Sequence, residues 1–320
     1  MLLNILLLVI GFALLIKGAD YLVLGASGLA RKFNISELVI GLTVVSFGTS
    51  APELIVSVVS ATKGLNDVAL GNIIGSNLFN LLCILGITAV ISPVIVQRST
   101  IFKEIPYSII AAIVLLLLAN DHLYTMKRNN AISIIDALIL LVFFSFFLFY
   151  IFKNMKNDNQ NLAVDFKPMG TWKIILFISG GLAGLVIGGS LSVNNAVDIA
   201  HILGISERII GLTIVATGTS LPELATSAVA AYRKNSDIAI GNVVGSNIFN
   251  IFLVLGISTF IHPLPYQTGF NFDITFLIAG SFLLLFFTYT GKKAIIERWE
   301  GAILLSCYIG YTLLLVFTTS

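Results

Sequence analysis

Two short stretches, GTSAPE at residues 48–53 and GTSLPE at 218–223, each set a glutamate directly after a proline inside an apolar run. A carboxylate near the centre of a bilayer costs at least about 2.5–3.5 kcal/mol on insertion scales, so acids in such segments usually mark ion or proton pathways. Proline lacks an N–H and clashes with the carbonyl four residues earlier. Pro52 therefore frees the carbonyl of Gly48 and Pro222 that of Gly218, and the backbone around 46–50 and 216–220 is expected to unwind. Irregular backbone at membrane depth survives only where protein buries it or where it lines a watery cavity. Freed carbonyls are also good cation ligands.

Helical spacing puts Thr49, Ser50 and Ser57 on one side with Glu53, and Thr219, Ser220 and Ser227 with Glu223. In GNIIGSNLFN (71–80) and GNVVGSNIFN (241–250), Asn72, Ser76 and Asn80, and likewise Asn242, Ser246 and Asn250, recur every fourth residue and draw a polar stripe along each helix. The small-xxx-small pairs Gly71/Gly75 and Gly241/Gly245 read as faces for close helix packing. Asn72 and Asn77 read as structural, bonding across the broken helix ends.

Every candidate ligand is an oxygen, with no thiolate and no histidine cluster. Ca²⁺ accepts six to eight oxygens in irregular geometry, whereas Mg²⁺ keeps its waters and zinc prefers nitrogen and sulfur. No Lys or Arg lies in either motif segment to neutralise the acids. One Ca²⁺ or two Na⁺ would balance the two carboxylates, and competition for the same oxygens would couple their movements.

The elements that must position these groups are membrane helices. Of the 320 residues 57% are hydrophobic and 11% charged, with mean hydropathy +1.00, where soluble domains carry about a quarter charged residues. The net charge of +2 gives no reason to expect nucleic acid. A helix crossing a bilayer needs about 20 mostly apolar residues. Ten segments qualify, at roughly 3–29, 36–61, 67–92, 104–120, 131–152, 172–200, 206–231, 237–261, 272–290 and 299–318. The fold class expected is an all-α integral membrane protein with helices broken at the midplane. Met1–Ile16 lacks a basic leader and reads as the first crossing rather than a signal peptide.

Loop charge orients the chain. Arg31, Lys32, Arg98, Lys103, Lys153, Lys156, Lys167, Lys173, Arg233, Lys234, Lys292, Lys293 and Arg298 fall on one side, against Lys63, Lys127, Arg128 and Arg208 on the other. This puts the 153–171 linker in the cytoplasm and both termini outside, in a multi-pass plasma-membrane protein. Cys83 and Cys307 read as small apolar side chains, and Lys17 with Asp20 as a local ion pair. His122, His201 and His262 read as interfacial, and Glu104, Glu207 and Glu297 as solvated at membrane edges. Asp136 and Asp198 receive no role.

Sliding the chain by 170 residues aligns Gly41–Ala61 with Gly211–Ala231 without a gap, and Asp67–Asn80 with Asp237–Asn250. Gly18 pairs with Gly188 at the same offset. The halves 1–152 and 172–320 thus read as homologous five-helix repeats joined by the linker. Five is odd, so equivalent helices run in opposite directions. Inverted repeats are the architecture of many secondary transporters, whose sites lie where broken helices meet at the midplane.

The motif pairs GTSAPE with GNIIGSNLFN, and GTSLPE with GNVVGSNIFN, resemble the two alpha repeats of the sodium/calcium exchanger family, particularly its prokaryotic members. GADYLVLGASGLARKF (18–33) is also similar to that family, while the linker and the last two helices of each half carry little signal. The resemblance implies a ten-helix fold with alternating access, the first and sixth helices sliding on a core bundle, and Na⁺-driven Ca²⁺ extrusion without a cofactor. It implies Glu53 and Glu223 as the Ca²⁺ carboxylates. Na⁺ ligands would come from Thr49, Ser50, Ser76, Thr219, Ser220 and Ser246, with backbone carbonyls near Ser46 and Ala216 and with Asn80 and Asn250 completing the centre. Many relatives have an aspartate at one of the positions of Asn80 and Asn250. Here both are amides, which leaves two carboxylates and makes a K⁺ requirement less fitting. Thr217 opposite Phe47 makes the halves unequal beside the site.

The residues alone leave other readings open: Ca²⁺ exchange against H⁺ through protonation of a glutamate, a cation channel using the same oxygens as a filter, and a membrane scaffold without transport. Function as a monomer, with Ca²⁺ and Na⁺ as the ions handled and the lipid bilayer as surroundings, is the corresponding expectation.

Overall fold

The structure is a computed structural model, and it describes residues 1–120, 130–154, 169–203 and 216–318. In chain order the elements are α1 (Leu2–Phe33), α2 (Glu37–Thr49), α3 (Ala51–Thr62), α4 (Asn66–Ile91), β1 (Val94–Ile95), α5 (Thr100–Leu118), β2 (Ala131–Ile132) and α6 (Ile134–Asn154). Then follow α7 (Thr171–Ile202), α8 (Ala216–Gly218), α9 (Leu221–Tyr232), α10 (Ser236–Ile261), β3 (Leu264–Pro265), α11 (Phe270–Phe287), β4 (Ile295–Ile296) and α12 (Arg298–Thr318). Among the described residues, seven helices are long and apolar enough to cross a bilayer, and the bent pair α2/α3 makes an eighth. Most of the expected linker, and the start of the segment expected at 206–231, lie outside the described residues.

Local chemistry sets the helix ends. Asn34 stops α1 in the left-handed conformation (φ 51°, ψ 47°), where its backbone N–H still reaches the carbonyls of Ala30 and Arg31. Ser36 caps the next helix by accepting from the N–H of Val39. Gly64, at φ 73°, turns the chain between α3 and α4, a conformation that a side chain would strain.

Burial separates two layers. In their most apolar windows, α4 is 83% buried and α10 94%, whereas α1 is 22% buried and α7 28%. α4 and α10 therefore form the core, and α1 with α7 lies at its edge. The edge helices pack on one another backbone to backbone. A Cβ added to Gly18 would lie 2.8 Å from the carbonyl oxygen of Gly181, and one added to Gly188 would lie 2.7 Å from that of Gly11. Glycine is required there because no side chain fits between the helices.

The all-helical expectation needs one amendment. β1 pairs with β4 (Val94↔Ile296) and β2 with β3 (Ile132↔Leu264), both antiparallel. All four of these residues are buried. Their N–H and C=O groups cannot reach water, so short ladders satisfy them. Beside these ladders, Gln97 donates to Asp237 (2.6 Å) and Gln267 to Asp67 (2.7 Å), the same contact exchanged between the halves.

Two expectations about charged residues change. Asp20 pairs with Arg233 of the second half, not with Lys17. Glu104 is buried rather than solvated, and the Tyr150 hydroxyl donates to it. Its helix begins at Thr100, four residues before the predicted start, which draws Glu104 inside the bundle. Asp136 caps its own helix, accepting from the backbone N–H and hydroxyl of Ser133. Cys83 and Cys307 are free thiols, and His201 and His262 are exposed.

Candidate ion-binding site

Each glutamate sits in the first turn of a half-helix that follows a break. Ser50 (φ −84°, ψ 5°) and Ser220 (φ −89°, ψ 8°) occupy the sparsely populated bridge region, with Pro52 and Pro222 in the first turns beyond them. The bend between α2 and α3 is 45°. The break is narrower than the sequence suggests. Ser46–Thr49 remains a helical turn, and the Ser46 carbonyl accepts from the N–H of Ser50 at 2.9 Å. Proline removes only its own N–H, so a single residue of bridge-region backbone absorbs the kink. In the second half, Ala216 opens the short turn Ala216–Gly218 and the break falls at Thr219–Ser220.

The two broken helices cross with their side chains exchanged. Ser220 donates to Glu53 Oε1 at 2.8 Å, and Ser50 donates to Glu223 Oε1 at 2.9 Å. Asn72 donates to Ser57 Oγ (2.9 Å) and to the Glu53 carbonyl (3.3 Å), while its Oδ1 accepts from Thr219 (3.2 Å). Asn242 repeats this with Ser227 (3.0 Å), the Glu223 carbonyl (3.3 Å) and Thr49 (3.1 Å). Each asparagine thus ties its own half's broken helix to the other half's. Asn72 acts across the break as expected, but Asn77 bonds back to the Ile73 carbonyl of its own helix (2.7 Å).

The remaining candidates close the centre. Ser76 Oγ lies 3.0 Å from Ser220 Oγ, and Ser246 Oγ lies 3.5 Å from Glu223 Oε1. Ser46 donates to the Gly41 carbonyl at 2.7 Å and also faces the carbonyls of Gly241 and Asn242. Asn80 and Asn250 each fall in a wide π-helical turn, Phe79–Ile84 and Phe249–Leu255, features enriched at functional sites. Sequence periodicity carries no signal for these turns, because one extra residue in a turn leaves the apolar pattern intact.

Glu53 and Glu223 are fully buried, and neither is paired with a basic side chain among the described residues. Their second oxygens, with both amide groups of Asn80 and Asn250, find no hydrogen-bond partner. Buried polar atoms left unsatisfied cost roughly 1–3 kcal/mol each, more when charged. So many at one spot describe a cage of oxygens suited to a hard cation. No third histidine, cysteine or acid joins the two glutamates among the described residues, so the negative charge rests on this pair.

Comparison with known proteins points the same way. The family model for sodium/calcium exchanger proteins matches residues 3–153 and 172–317. The chain is 39% identical to the putative antiporter CaxA of Alkalimonas amylolytica, over 96% of both chains. It is 33% identical to the sodium/calcium exchanger MaX1 of Methanosarcina acetivorans, over 98% of this chain and 99% of the other. Its fold superposes on the solved sodium–calcium exchanger NCX_Mj with a TM-score of 0.83 at 34% identity, over 97% of each chain. With its motifs, its fold and nearly its whole length in agreement, the chain belongs to the sodium/calcium exchanger family.

Proposed function

We propose that the protein is an antiporter that exchanges Na⁺ for Ca²⁺ across the plasma membrane by alternating access. The observation that carries this reading is the crossed pair Glu53–Ser220 and Glu223–Ser50, two buried carboxylates without a basic partner and with their outer oxygens unsatisfied. One Ca²⁺ between Glu53 and Glu223 cancels their combined charge, and Na⁺ ions held by Thr49, Ser50, Ser76, Thr219, Ser220 and Ser246 cancel it in turn. The carbonyls at Ser46 and Ala216 and the amide oxygens of Asn80 and Asn250 complete the ligand set. Since the same carboxylates serve both ions, one species must leave before the other is held, and this exclusion couples the two fluxes.

Ten transmembrane helices in two inverted five-helix repeats fit the exchanged contacts, which recur at an offset of 170 residues in the site, in the strand pairs β1·β4 and β3·β2, and in Gln97–Asp237 and Gln267–Asp67. The charge bias among the loops supports a cytoplasmic linker and external termini. A monomer is sufficient, since both carboxylates come from one chain.

The test is labelled Ca²⁺ uptake into liposomes containing the purified protein. Uptake should require an outward Na⁺ gradient and disappear in Glu53→Gln and in Glu223→Gln. Uptake driven by a pH gradient without Na⁺ would replace Na⁺ by H⁺ as the coupled ion. Flux without any counter-ion would make the protein a channel.

A further inference from the structure

We propose that the polar contacts joining α1 to the turn at Arg233–Asn235 form a one-sided latch. It holds the α1/α7 pair against the core on that face and must open whenever the pair shifts to expose the site there. The proposal rests on the exchange reading above. Because α1 and α7 meet backbone to backbone through Gly11, Gly18, Gly181 and Gly188, neither can move far without the other, and the pair behaves as one body. Most of its surface lies outside the core.

Polar ties to the core converge near one end of α1. Arg233 Nε donates to Asp20 Oδ1 at 2.6 Å. Two turns further along α1, Asn235 Nδ2 donates to Ser27 Oγ (3.1 Å) and to Glu37 Oε2 (2.5 Å), and Arg31 Nε lies 3.8 Å from Glu37 Oε1. Asn235 Oδ1 meanwhile accepts from the N–H of Ile238 and caps α10. A single asparagine therefore joins α1, α2 and α10. At the positions 170 residues away from Asp20, Ser27, Arg233 and Asn235 stand Ser190, Val197, Lys63 and Leu65, which cannot form these contacts. Inversion would put those positions on the opposite face, so the latch has no counterpart there. The side chains of Arg233 and Asp20 are 36% and 30% exposed. An ion pair so open to water is weak. It biases the equilibrium between the two access states without locking it.

In a two-state carrier, apparent affinity at a face scales with the fraction of molecules open to that face. Half-saturating Ca²⁺ would be measured separately at the two faces in liposomes of uniform orientation, for the wild type, Asp20→Asn, Arg233→Gln, and the exchanged pair Asp20→Arg with Arg233→Asp. Each single change is expected to lower the constant at the Arg233 face roughly two- to fivefold, with little change at the other face, and the exchanged pair to restore it. Unchanged constants in the single variants, or no recovery in the exchanged pair, would overturn the latch. Amide hydrogen exchange along residues 17–33 in detergent reads the same contact without any flux. It should quicken in both single variants and recover in the exchanged pair, and unaltered exchange overturns the latch even where transport is intact. A wild type showing this exchange pattern but no Na⁺-driven Ca²⁺ flux would sink the transport reading and keep the latch.

Discussion

Where the broken helices cross, contacts recur in matched sets. Ser220 with Glu53 answers Ser50 with Glu223, and Asn72 with Ser57 and Thr219 answers Asn242 with Ser227 and Thr49. At the rim around α1 the contacts are unmatched: Asp20 with Arg233 and Asn235 with Ser27 and Glu37 have no equivalent residues in the other half. The difference follows from what each region must do. A site that holds the same ions from either side gains by looking alike from both, whereas the resting balance between the two access states is set by whatever distinguishes one face from the other. Even at the centre the match is incomplete, since Ser76 faces Ser220 while Ser246 faces a carboxylate.

The comparison can be broken most forcefully at the carboxylates. Glu53→Gln and Glu223→Gln each remove half of the site's charge and should depress Ca²⁺ affinity by about two orders of magnitude or more, given how steeply ligand charge tunes such sites. Isothermal titration of the two variants should give similar losses, and a variant that still bound Ca²⁺ normally would end the equivalence of the halves. Ser50→Ala and Ser220→Ala each delete a hydrogen bond to the opposite carboxylate, worth about 1.5–3 kcal/mol for a charged acceptor. Both should weaken Ca²⁺ binding by roughly tenfold or more in the same titration.

Smaller effects sharpen it. Asn72→Ala and Asn242→Ala leave the hydroxyls of Ser57 and Thr219, or of Ser227 and Thr49, without their partner, at about 1–3 kcal/mol. Thermal unfolding in detergent should fall by similar amounts in both. The smallest contrast lies at the helix caps. Asn235→Leu removes the cap of α10 and should cost about 1 kcal/mol. Leu65→Asn offers α4, whose first turn has no side-chain cap, a gain of a few tenths to about 1 kcal/mol. Denaturation of the two variants should shift in opposite directions.

Much of this was legible in the residues. Apolar runs located the described helices to within a few positions at most ends, because the bilayer fixes the length a spanning helix must have. The acid after each proline marked the site, because a carboxylate at membrane depth is too costly to keep without a use. Other features were not legible. The burial of Glu104 depends on where its helix starts, which an apolar run does not specify. The partner of Asp20 lies more than two hundred residues away, so a nearby lysine was the natural but mistaken choice. The strand pairs join two-residue segments too short to have a pattern of their own.

By itself the amino-acid sequence determined that the chain belongs in a membrane, that its halves share an ancestor, and that two acids with a row of hydroxyls and amides stand ready for a cation. These follow from composition and local spacing, which act within a helix or two. Only the tertiary structure decided that each serine serves the other half's glutamate, that the asparagines stitch the two breaks together, and that the rim of α1 is tied on one side alone. Such contacts join residues far apart in the chain, and they exist only once burial has brought the helices together.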